Sequence, residues 1–132
     1  MKRLLLVSLL AALPALAGPY DQVYSVVTTD RTRAADPEVL PVIVNRIDGE
    51  TVMAHTEAVI APGLRKVTVD LPPRKGFTMA TQNTFDLDAK PCTRYYIAAK
   101  LDSLTTQTWK PVVRNEEPIG ECAKKFKVAG AR

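Results

Sequence analysis

Short runs in which apolar and polar residues alternate with a period of two carry most of this chain, and that alternation restricts it to a sheet protein. In Arg65–Leu71 (RKVTVDL), Val67, Val69 and Leu71 fall on one side of an extended strand and Lys66, Thr68 and Asp70 on the other. Cys92–Leu101 (CTRYYIAAKL) repeats the pattern. Tyr95, Ile97, Ala99 and Leu101 share one face; Arg94, Tyr96, Ala98 and Lys100 share the other. Further strands are expected over Gln22–Thr29, Leu40–Ile47, Glu50–His55, Phe77–Leu87, Trp109–Arg114 and Ile119–Val128. The polar stretch Thr81–Thr84 predicts a bulge, a bend or a split into two shorter strands, and Arg31–Pro37 reads as a polar connection, the alternative being one helical turn. No helix-period apolar stripe persists for three turns.

Turn residues separate these runs. Asp48-Gly49 is a tight-turn signal, because both residues tolerate positive φ, and it predicts a hairpin over Val42–His55. Pro62-Gly63 matches the corners of a type II turn. Pro111 has no amide donor, so its strand belongs at a sheet edge or carries a bulge. The expected fold is an all-β, two-layer sandwich, immunoglobulin-like or transthyretin-like, of about seven to eight short strands.

The first seventeen residues (MKRLLLVSLLAALPALA) fit no strand. Lys2 and Arg3 precede an apolar run from Leu4, Pro14 breaks it, and Ala15-Leu16-Ala17 offers small residues where a signal peptidase reads them. The run falls short of the roughly 20 residues that span a bilayer. The expectation is a signal peptide over residues 1–17 and one domain over residues 18–132, with no stable membrane insertion after cleavage. The residue after the cleavage point is Gly18, not the cysteine that a lipid anchor needs. The localisation implied is periplasmic or secreted.

Export changes how the rest is read. Loss of Lys2 and Arg3 lowers the formal charge from +4 to about +2, too little to argue for nucleic acid. Cys92 and Cys122 are the only cysteines, and in an oxidising compartment they are expected to pair, the alternative being a buried reduced pair. Their separation rules out a CxxC redox centre.

Chemistry-bearing constellations are sparse. His55 is the only histidine, no G-x-S-x-G elbow is present, and a nucleophile without an oriented base does no catalysis. Asp86 and Asp88 share a strand face but stand where carboxylates commonly cap a turn. Met53 and His55, two apart, would share a strand face, and Met79 from a neighbouring strand would complete a soft copper site. Arg94 and Tyr96, opposite the core-facing Tyr95, form an outward patch suited to a partner or a sugar.

The segments IDG (Ile47, Asp48, Gly49) and PGLRKVTV (Pro62, Gly63, Arg65, Val67, Val69) resemble small exported bacterial β-sandwich proteins of the transthyretin-like and PEGA-like kind. The resemblance implies an envelope sandwich whose shared residues are turn and strand positions rather than catalytic ones. Together these readings predict a non-enzymatic periplasmic accessory or protein-binding domain that needs no cofactor. Its partner is an envelope protein or a second copy, engaged through Arg94 and Tyr96 or through an exposed strand edge. The first strand is the expected edge. The alternative is a small-ligand or copper-binding protein using Met53, His55 and Met79.

Overall fold

The computed structural model describes residues 18–31, 35–53, 57–73, 81–105 and 108–128. Two antiparallel-rich sheets pack face to face, as the alternating sequence predicts, with nine strands among the described residues. In chain order these are β1 (Ser25–Thr29), β2 (Val39–Pro41), β3 (Ile43–Ile47), β4 (Glu50–Thr51), β5 (Glu57–Ile60), β6 (Gly63–Leu71), β7 (Thr81–Ala89), β8 (Thr93–Leu101) and β9 (Trp109–Pro118). One short helix, α1 (Gly120–Phe126), follows. Residues 1–17, the expected leader, lie outside the described residues, and no described helix is long and apolar enough to cross a membrane.

The first sheet is organised around β8. β9 pairs antiparallel along its whole length. On its other side β1 runs parallel to the first half, β2 antiparallel to the second half, and β5 pairs beyond β1. The first strand is therefore interior and offers no free edge, contrary to the expectation. Its residues explain the placement: Ser25, Val26 and Val27 are all buried, so both faces of β1 are covered. β9, which contains Pro111, is an outermost strand, as the missing amide requires, and a bulge interrupts its register opposite Tyr96–Ile97.

The second sheet runs β4-β3-β6-β7. β7 pairs with β6 through nine consecutive positions, so the expected irregularity at Thr81–Thr84 does not occur. Thr84 instead meets Thr68 across the strands, hydroxyl to hydroxyl at 2.9 Å. The run Leu40–Ile47, expected as one strand, is two. β2 belongs to the first sheet and β3 to the second, the chain changing layers at Val42 directly after Pro41. Asp48 (φ 51°) and Gly49 (φ 83°) make the predicted turn. The Asp48 carboxylate fastens that turn to β6, accepting from Lys66 N at 2.8 Å and Arg65 Nη1 at 3.1 Å. The returning strand is shorter than predicted, ending at Thr51.

Between the sheets Val27, Val44, Val67, Val69, Tyr95, Ile97 and Leu101 form a dry core, with Trp109 closing one end. Each such side chain contributes about 1.5–3 kcal/mol by leaving water. Trp109 Nε1 donates to Thr81 Oγ1 at 2.6 Å, and Asn83 donates to the Trp109 carbonyl at 2.9 Å, which joins the β7 and β9 margins.

Ile119–Val128, expected as a last strand, is the helix. Ile119, Cys122, Ala123 and Phe126 recur at helical spacing, Glu121 stands in the first turn, and Lys124 and Lys125 stand in the last. Lys127 ends it in the left-handed conformation, with Val128 N donating back to Ala123 O. The helix lies over the outer face of the first sheet. There Tyr24, Val26, Cys92 and Cys122 form a second buried cluster with Val59, Ile119 and Phe126 packed against it. The predicted Cys92–Cys122 disulfide lies within this cluster.

Candidate functional site

Arg94 and Tyr96 project from β8 on the outer face of the first sheet, as alternation requires, because Tyr95 and Ile97 between and beyond them are in the core. A third residue joins them from β9. The Tyr96 hydroxyl donates to Glu117 Oε1 at 2.6 Å, and Arg94 Nη1 stands 3.6 Å from the same oxygen. The Glu117 carboxylate that accepts the Tyr96 proton, helped by burial, holds this phenol above its ordinary value. Burial pushes Arg94 down, but Tyr96, Glu57 and Glu117 outweigh it, so the guanidinium stays charged.

Arg94 is incompletely satisfied. Its Nε is shielded from water and has no hydrogen-bond partner among the described residues. A buried donor left in that state costs about 1–3 kcal/mol, and native proteins contain few of them. Arg94 therefore keeps one donor without a partner among the described residues while Tyr96, Glu57 and Glu117 hold its charge.

Beside Arg94 the disulfide-anchored helix and the sheet enclose a cleft of about 420 Å³. Val26 and Arg94 contribute from the sheet, with Glu57 from β5. Ile119, Glu121 and Lys125 form the helical side, and Tyr20 and Tyr24 come from the segment before β1. The two tyrosine rings meet edge to face at 5.0 Å, and Tyr24 meets Phe126 in the same manner at 6.5 Å. Lys125 ties the segment to the helix by donating to Tyr20 O at 2.7 Å, and it stands 3.9 Å from Asp21. A smaller hollow of about 260 Å³, bounded by Gly18, Gln22, Val59 and Ala61, adjoins the first through Tyr24.

Of the residues singled out from sequence, Arg94 lines the cleft and Tyr96 sits beside it. The sequence reading did not bring Glu57, Glu121 and Lys125 together with Arg94, and it gave Glu121 no role. Glu121 and Lys125 are four residues apart, so helical spacing was the available signal, obscured by the expectation of a strand there. Met53 follows the end of β4 in a turn and is 86% exposed, so the strand-face premise for a Met53–His55 copper pair does not hold. His55 and Met79 lie outside the described residues. Asp86 and Asp88 are exposed on the outer face of the second sheet, Asp86 at 3.5 Å from Lys66. No group of three or more His, Cys, Asp and Glu side chains suited to a metal occurs among the described residues.

Comparison of the chain with protein-family models, with curated proteins and with solved structures found no match. The function must be argued from the cleft itself.

Proposed function

We propose that this protein is a non-catalytic binding domain of the cell envelope, exported by its leader, that recognises its partner through the Arg94 cleft. The observation that carries the reading is the unsatisfied Arg94 Nε beside a preformed, tyrosine-walled hollow. A guanidinium with one unpaired donor, next to two aromatic rings, has the composition of a recognition site. The position of the cleft supports the same reading: it lies between the helix and the outer face of the first sheet, apart from the core between the sheets. The exported-sandwich resemblance of the Asp48-Gly49 and Pro62-Gly63 turns is consistent with an accessory role.

The test is capture from the envelope fraction with wild-type protein and with Arg94→Gln, after both are shown to melt alike. A component retained by the wild type and lost with Arg94→Gln supports the reading. Equal retention by the two proteins sinks it.

A further inference from the structure

Resting on that binding reading, we infer that the cleft takes a neutral, hydroxyl-rich ligand: a short saccharide. Among the described residues, the lining carries two cations and two carboxylates, with one of each sign on either wall. Arg94 and Glu57 come from the sheet; Lys125 and Glu121 come from the helix. An anion that approaches Arg94 or Lys125 meets Glu57 and Glu121, and a cation meets the opposite obstacle, so neither kind of ion gains a site of its own sign. A hydroxyl group both donates and accepts. It satisfies guanidinium or ammonium on one side and carboxylate on the other, through charge-assisted bonds stronger than those between neutral groups.

The remaining wall suits the other half of a sugar. Tyr20 is 51% exposed and is braced edge-on by the buried Tyr24, so its ring presents apolar surface to the C–H face of a pyranose. At about 420 Å³ the hollow is within the usual range of small-ligand sites. The disulfide holds the helical wall in place before binding, which reduces the ordering cost of taking up a ligand.

The test uses the disulfide-bonded protein and follows its backbone amide signals during titration with cellobiose, maltose and N,N′-diacetylchitobiose, at concentrations on the order of 10 mM. Acetate, choline and glycine serve as anionic, cationic and zwitterionic comparators. The expected result is a saturable shift at Glu57, Arg94, Glu121 and Lys125 with at least one disaccharide, and with none of the comparators. Arg94→Gln and Glu121→Gln should each weaken that binding about tenfold, and Tyr20→Ala should weaken it as well while lowering the melting temperature only slightly. A comparator that saturates the cleft overturns the saccharide assignment and leaves the binding reading standing. Absence of any cleft shift with all three disaccharides also overturns it; if envelope capture is insensitive to Arg94→Gln as well, both inferences fall.

Discussion

On the outer face of the second sheet, side chains complete the surface by themselves. Asn45 and Gln82 each donate to Asp70 at 3.0 Å, one to either carboxylate oxygen, and Thr68 meets Thr84 beside them. The outer face of the first sheet is built differently. One end is apolar and needs a seven-residue helix to cover it. That helix is far below the roughly 12–15 residues at which an isolated helix becomes even marginal in water, so it depends on the packing beneath it and on Cys92–Cys122. Beside that apolar cluster, opposite Val26 in register, stands Arg94 with one donor unpaired. A hydrogen-bonded ladder is enough to present a sheet to water. A covalently held cover beside an incompletely satisfied arginine goes beyond that need, and this asymmetry is what the proposed binding role draws on.

The strongest way to break this contrast is to remove the covalent tie. Cys92→Ala with Cys122→Ala opens a link across 30 residues, and chain entropy puts the loss at roughly 3.5 kcal/mol. Urea denaturation measures it, and amide exchange locates it. The protection lost first should lie in α1 and at Tyr24 and Val26, with β6 and β7 following only on global unfolding. Equal early loss in both sheets would mean that the disulfide serves the whole sandwich rather than one face.

A paired truncation sharpens the same point at lower cost. Val26 is 2% exposed beneath the helix, and Val26→Ala should cost about 2 kcal/mol. Thr84→Ala on the exposed second face removes one hydroxyl contact and should cost under about 1 kcal/mol. Next in size, Asp70→Ala takes the acceptor from both Asn45 and Gln82 and should cost about 1 kcal/mol. Chemical denaturation of the three variants orders them, and an Asp70→Ala loss larger than that of Val26→Ala would reverse the comparison.

The two faces also differ in how far the sequence announces them. Alternation in Arg65–Leu71 and Thr93–Leu101 assigns inner and outer residues correctly, because a strand with one dry face admits only one register. Tight turns at Asp48-Gly49 were equally readable, since few residue pairs accept those φ angles. What escaped was decided by tertiary context. Both sides of β1 are covered, so nothing in Ser25–Thr29 itself distinguishes an interior strand from an edge. The change of sheet at Val42 leaves the apolar run unbroken apart from Pro41. In Ile119–Val128 the helical spacing spans only two turns, too short to outweigh the expectation of another strand. Arg94 and Tyr96 were legible because they alternate with core residues. The cleft was not, because its second wall comes from that unrecognised helix.

The smallest effect tests the electrostatics of the first face directly. Tyr96 donates to the Glu117 carboxylate, and that bond, reinforced by burial and opposed by Arg94, raises the phenol above its ordinary value of 10.0. A raised folded-state pKa stabilises the protein fully while the proton is bound in both states, below the unfolded value. That contribution is lost as pH climbs through the folded value. Stability should therefore hold up to about pH 10 and decline above it by an amount that Tyr96→Phe abolishes. Tyrosinate absorbance checks the microscopic cause: the ionisation that Tyr96→Phe removes should lie above 10.0, and Glu117→Gln should return it toward that value. An unchanged titration in Glu117→Gln would show that Tyr96 is not held by that carboxylate.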